Sequence, residues 1–135
     1  MPGSFFDSNV PLSVAVGDDA KANLAEQLLS SGGIVSVQVL NEVANVALRK
    51  YGFTIPEVVT FIDSLRFVVK VVPVTVETHE VALIVRERHR FAFHDCAIVA
   101  AALLADCETL WSEDMHDGLV VDGRLTIRNP FAGAA

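Results

Sequence analysis

At 135 residues, with hydrophobic residues at 52% and charged residues at 20%, the chain has the size and composition of one ordered domain, residues 1–135, rather than of a solvating segment. Its longest apolar run, Cys96 to Ala105, breaks at Asp106, short of the roughly 18 residues a membrane helix needs, and its N-terminus has no signal-peptide pattern, so a cytoplasmic setting with no membrane partner is expected. A net charge of -7 argues against nucleic acid, which asks for a basic footprint, unless acids gather around cations that reverse the local charge.

Along the chain, Ser4 to Ser8 reads as a short strand ending at Asp7. Asp18 to Ser30 carries Ala20, Leu24, Leu28 and Leu29 at helical spacing, with Gly32 and Gly33 as the stop. A strand over 34–37 leads into a helix from Gln38 to Lys50, whose apolar face is Val39, Leu40, Val43, Val46 and Ala47. Thr54 with Glu57 is a capping box, with Pro56 in the first turn of a helix running to Phe67. A strand over 68–72 ends at Pro73. Thr75 or Glu77 opens a helix that is apolar on every side from Val81 to Val85, the mark of full burial or of a covered partner surface. Its end is the basic run Arg86-Glu87-Arg88-His89-Arg90. A helix from Asp95 to Asp106 and strands over 109–111 and 125–127 complete the chain. Strands alternating with helices predict an α/β fold around a mainly parallel sheet, with helices on both faces.

Five carboxylates stand at the ends of apolar runs: Asp7, Glu42, Asp95, Asp114 and Asp117. Ligands in such folds bind beyond the carboxyl ends of the strands, where Asp7 and Asp114 fall. Each acid also has an ordinary reading. Asp7 opens a turn with Ser8 and Asn9; Glu42 shares a polar helix stripe with Gln38, Asn45 and Arg49; Asp95 caps a helix; Asp114 and Asp117 lie in a loop ending at Gly118. Taken together they would repel one another when brought to one point, and a divalent cation removes that cost. Mg²⁺ and Mn²⁺ favour oxygen ligands and assist phosphodiester hydrolysis. The two cysteines, Cys96 and Cys107, lie in unlike contexts and suggest neither a disulfide framework nor a zinc site.

Phe6-Asp7-Ser8-Asn9-Val10, Val39-Leu40-Asn41-Glu42-Val43, His94-Asp95-Cys96-Ala97-Ile98-Val99-Ala100-Ala101-Ala102 and Leu110-Trp111-Ser112-Glu113-Asp114-Met115 resemble, in order, the four motifs of the PIN-domain family, and within it the VapC-like toxins of bacterial toxin–antitoxin modules. The resemblance implies a three-layer α/β/α sandwich and a Mg²⁺- or Mn²⁺-dependent endoribonuclease. It implies Asp7, Glu42, Asp95 and Asp114 as catalytic metal ligands, Asp117 at a variable fifth position, and Ser112 as a supporting hydroxyl. Asn9 is typical of the first motif. The implied partners are an RNA substrate, a cognate antitoxin and a second copy of the chain, with a higher assembly when the antitoxin is bound. His94 departs from the Ser or Tyr common before the third motif; it could approach the scissile phosphate or simply cap the helix, the ordinary reading being favoured, and His116 is read the same way.

Arg86, Arg88 and Arg90 fit a helix end favoured by the macrodipole or, alternatively, a track for the RNA backbone. Arg49, on the Glu42 stripe, could instead pair with an acid or with an antitoxin carboxylate. Two other aspartate chemistries fail on residues: a haloacid-dehalogenase-like phosphatase needs an acid where Asn9 stands, and a receiver domain needs a late lysine, whereas the last one is Lys70. The rival from another class is a catalytically silent PIN-like binding module in a regulatory complex.

Overall fold

A computed structural model describes residues 3–132. Its elements in chain order are β1 (Ser4–Phe6), α1 (Asn9–Val16), α2 (Asp19–Ser30), β2 (Ile34–Ser36), α3 (Val37–Lys50), α4 (Ile55–Val68), β3 (Lys70–Val72), α5 (Val76–His89), α6 (Phe93–Leu104), β4 (Thr109–Trp111), β5 (Val120–Val121) and β6 (Leu125–Arg128). The strands form one sheet in the order β3-β2-β1-β4-β6-β5. All pairs are parallel except the edge pair β5 and β6. Parallel crossovers are right-handed. The steps β1 to β2 to β3 therefore lay α1–α4 on one face, and the return to β4 lays α5 and α6 on the other.

The expected α/β sandwich is thus present, and its boundaries follow from local chemistry. Asp18 accepts from the Lys21 N–H at 2.9 Å at the start of α2. Ser36 does the same for Val39 at α3. Thr54 and Glu57 close the capping box of α4, with contacts of 2.8 and 3.2 Å. Replacing Thr54 by Ala should cost about 1 kcal/mol, read as a lower midpoint in urea unfolding with no change in slope. Thr75, not Glu77, opens α5, through a reciprocal bond with Thr78.

Four expectations are corrected. The stretch after Asp7 is the helix α1, not only a turn; Pro11 sits in its first turn, where a missing N–H breaks no intrahelical bond. Val37 and Val68 belong to helices, so β2 and β3 are shorter than read. Asp95 does not cap α6: the cap is Ala92, and Asp95 lies inside the first turn. Finally, of the two readings of α5, full burial fails and the partner-surface reading stays open. Thr78, Ala82 and Val85 face inward, while Val76, Leu83 and Ile84 are exposed.

The core lies on both sides of β1, β2, β4 and β6, where Phe5, Phe6, Val35, Leu110, Leu125 and Ile127 are fully or almost fully excluded from water. It is continued by α6, buried from Cys96 through Leu103. Burying a carboxylate next to such a core is costly, and among the described residues Asp7, at 3% exposure, is the one acid so buried.

Candidate active site

Asp7 follows the last residue of β1 and is held by three donors. Its Oδ1 accepts from the Ser8 N–H at 2.7 Å. Its Oδ2 accepts from Ser112 Oγ at 2.7 Å and from Asn9 Nδ2 at 3.3 Å. Its own N–H donates to the Trp111 carbonyl at 3.0 Å, tying the exit of β1 to that of β4. Ser112 is fully buried and its Oγ also accepts from the Asp114 N–H at 3.3 Å. One hydroxyl thus orients the Asp7 carboxylate and fixes the backbone that carries Asp114.

Asn9, at the first position of α1, is the second organiser. Its Nδ2 also donates to Asp114 Oδ2 at 3.2 Å, and its Oδ1 accepts from the Glu113 N–H at 3.1 Å. Lys21 of α2 pairs with Glu113, so the 112–114 loop is clasped from α1 and from α2. The third and fourth acids come from helices. Gln38 Nε2 donates to the His94 carbonyl at 2.9 Å, which stitches the start of α3 to the start of α6 and brings Glu42 and Asp95 to the same edge of the sheet.

Electrostatics tie the four acids into one group. Burial pushes the Asp7 carboxyl up to about 6, against relief from Ser112 and Ser8, and the charges of Glu42 and Asp95 add to the rise. Asp95 is also raised, chiefly by burial and further by Asp114, while His94 opposes the rise; its Oδ1 lies 3.3 Å from His94 Nε2. Among the described residues Asp7 has no basic partner. Asp117 is placed otherwise: its Oδ1 accepts from the Asn129 N–H at 2.8 Å, bracing the far end of the loop against the strand exit of β6.

Among the described residues no three carboxylate, imidazole or thiolate side chains are gathered tightly enough to cage a metal ion as they stand. The Asn9 amide fills the gap between Asp7 and Asp114, supplying partial positive charge where two carboxylates converge. The donor set nevertheless suits a hard divalent cation. Every candidate ligand is an oxygen, Asp7 is buried without a counter-charge, and Asp114 is exposed at the mouth. Mg²⁺ needs no closed protein cage, because it keeps several waters and binds through a few carboxylates.

Two arginines of the basic run have side-chain partners. Arg86 donates to the carbonyls of Arg90 at 3.1 Å and Phe91 at 2.6 Å, closing its own helix end. Arg88 pairs with Asp122 at 2.8 Å. Arg90 is the left-handed cap, at φ 64°. Arg49 makes no ion pair among the described residues. Both cysteines are buried and unbridged. No helix among the described residues is long and apolar enough to cross a membrane. The roles of Asn9 and Lys21 as loop clasps were not signalled by the sequence, since both depend on contacts to residues 113 and 114, about a hundred positions away.

No curated protein matches the chain by sequence. Solved structures do match by shape. A toxin–antitoxin complex from Klebsiella pneumoniae superposes with a TM-score of 0.72 at 20% identity, covering 95% of this chain and 98% of that one. VapC20 of Mycobacterium tuberculosis, described as a sarcin–ricin loop cleaving toxin, gives 0.68 at 23% identity, covering 83% and 90%. VapBC2 from Rickettsia felis, bound to a DNA fragment from its promoter, gives 0.68 at 15% identity, covering 93% and 97%. These likenesses establish the fold. The family model of the PIN domain matches residues 4–116, a span that runs from β1 through the loop bearing Asp114, and the chain therefore belongs to the PIN-domain family.

Proposed function

We propose that the chain is a Mg²⁺- or Mn²⁺-dependent endoribonuclease, the toxin of a toxin–antitoxin pair. The observation that carries this reading is the hydrogen-bonded network of Asp7, Asn9, Ser112 and Asp114 beyond the ends of β1 and β4, with Glu42 and Asp95 near enough for their charges to act on Asp7. These four carboxylates would hold the cation. When bound, it would polarise the phosphodiester and lower the pKa of a water. Ser112 and Asn9 hold Asp7 and Asp114 in fixed orientation, so little rearrangement is needed when substrate arrives. Asp117 braces the loop through Oδ1 and would be a fifth ligand only through its other oxygen.

Support for RNA comes from the Mycobacterium tuberculosis neighbour, which cleaves the sarcin–ricin loop. Support for an antitoxin partner comes from the Klebsiella and Rickettsia neighbours. The same reading gives the chain a homodimer through the apolar side chains that α5 leaves exposed. The silent-module alternative draws on the Asn9 amide between Asp7 and Asp114, which lets the site stand without a cation. Product chemistry separates the two. With Mg²⁺ or Mn²⁺ the protein should cut RNA by attack of water, yielding a phosphate monoester and a hydroxyl, and should stop in EDTA. Products ending in 2′,3′-cyclic phosphate, or equal cutting in EDTA, would exclude the carboxylate–metal mechanism; no cutting under any of these conditions would favour the silent module.

A further inference from the structure

The chain after β6 returns to the loop that carries Asp114. The Ser112 N–H donates to the Arg128 carbonyl at 2.9 Å, and the Asn129 N–H to Asp117 Oδ1 at 2.8 Å. Asn129 Oδ1 accepts from the Phe131 N–H at 2.9 Å, and the Phe131 side chain is seated in the core, at 5% exposure. The Lys21 ammonium stands 5.2 Å from the centre of that ring and pairs with Glu113. Lys21 lies in the first turn of α2, where the macrodipole disfavours a cation. Glu113 holds it charged all the same, raising its pKa above the ordinary value against partial desolvation, with Asp18 and Asp114 adding to the rise. Asn129 and Phe131 lie beyond residues 4–116, the span that the PIN model matches, so the family pattern does not account for them.

We propose that Asn129 and Phe131 form a strap that, through Lys21 and Glu113, positions Asp114 for a divalent cation; the proposal rests on the metal-centre reading above. Three considerations favour it. The Glu113 N–H is already held by Asn9 at 3.1 Å, so pairing its carboxylate with Lys21 fixes both backbone and side chain of the residue next to Asp114. The Phe131 ring attracts the ammonium through its face without supplying a counter-charge, which leaves Glu113 as the carboxylate that Lys21 binds. A pair whose side chains are 34% and 30% exposed adds little to global stability, so losing the strap should loosen the loop and leave the sheet intact. Charge alone predicts the opposite sign for the cation. An ammonium beside Asp114 repels a divalent ion, and removing it should tighten binding. If Lys21 acts by positioning the loop, removing it weakens binding.

The test uses the full chain without RNA. Amide exchange by NMR in EDTA follows Glu113, Asp114 and, as a control, Val35, which is fully buried in β2. A Mn²⁺ titration read by electron paramagnetic resonance gives the cation affinity. Lys21→Met and Phe131→Leu should each speed exchange at Glu113 and Asp114 at least about threefold, with the Val35 rate unchanged in Lys21→Met. Removing a group that orients a metal ligand costs about tenfold in affinity. Here the effect passes through Glu113, so Mn²⁺ should bind at least about threefold more weakly to Lys21→Met. Lys21→Arg should keep the parent's values, since a guanidinium can both pair with Glu113 and stack on Phe131. Parent-like exchange at Glu113 and Asp114 in either Lys21→Met or Phe131→Leu would overturn the proposal. So would an equal rise at Val35 in Lys21→Met, or Mn²⁺ binding to Lys21→Met that is unchanged or tighter. A parent that binds no Mn²⁺ would defeat the metal-centre reading instead, and the exchange rates would still decide the strap.

Discussion

Asp7→Asn should make the cation-free protein more stable at pH 7 while abolishing its cleavage of RNA. The ordinary value of 3.8 for this carboxyl is raised to about 6 by burial first, with Glu42 and Asp95 adding to it. Between those two values the folded protein keeps a proton that the unfolded chain has released. The contribution of Asp7 to stability is therefore most favourable below pH 4, falls as pH climbs toward 6, and is fully reduced above that, by ~3 kcal/mol. Asparagine carries no charge to desolvate and can still meet Ser8 and Ser112, so the variant should lose most of this slope. Urea unfolding in EDTA at pH 4, 5, 6 and 7 measures it: parent and variant should diverge as pH rises. Parallel curves would show that Asp7 pays no burial penalty. Adding Mg²⁺ at pH 7 should stabilise the parent more than the variant, because only the parent has the carboxylate whose charge a cation offsets.

Gly33→Ala should be the most damaging small change in the sheet. A Cβ at Gly33 would fall 2.4 Å from Phe6 Cε2 and 2.7 Å from the Ser4 carbonyl oxygen. Phe6 is fully buried and Ser4 is strand backbone, so neither can yield cheaply. Overpacking of this kind costs about 1–3 kcal/mol, and here two contacts fail together, so the upper end is expected. Displacing Phe6 also moves its neighbour Asp7, so cleavage should drop with stability. Gly52→Ala is the matched control: nothing lies within 4 Å and only its φ of 68° is strained, which predicts about 1 kcal/mol. Equal unfolding midpoints for the two variants would contradict the packing of β1 against Gly33.

Much of this fold was legible because its signals are local. The alternation of strands and helices, the Thr54–Glu57 capping box and the glycine stop after α2 each need only a few neighbouring residues, and each stands where the pattern placed it. What was missed lacks such a signal. Helix α1 is eight residues long and carries Pro11, and β5 is two residues whose only support is its pairing with β6. Asp95 looked like a cap because the apolar run begins after it; the helix begins earlier, with Phe93 and His94, and so turns Asp95 toward the other acids. The mixed exposure of α5 is a tertiary outcome, since Val81 to Val85 is apolar around the whole helix and does not mark which face turns inward.

The candidate site divides along the same line. The four acids could be picked out by their place at the ends of apolar runs and by motif order. Their convergence could not, because it depends on the Trp111 carbonyl meeting the Asp7 N–H and on Gln38 meeting the His94 carbonyl. The network around Ser112 and Asn9 is likewise long-range, and it explains how acids that repel one another can share an edge. Each negative oxygen is given a donor or partial exposure, and the residual cost is concentrated on Asp7.

The central claim, that these acids act as one metal-dependent ribonuclease centre, is tested most directly by the cleavage rate of Asp95→Asn beside the parent in saturating Mn²⁺. Circular dichroism should first show the variant folded, since Asp95 has no hydrogen-bond duty in the core. The account predicts a loss of at least about a hundredfold, with RNA still bound. A folded Asp95→Asn protein that cuts as fast as the parent would contradict it.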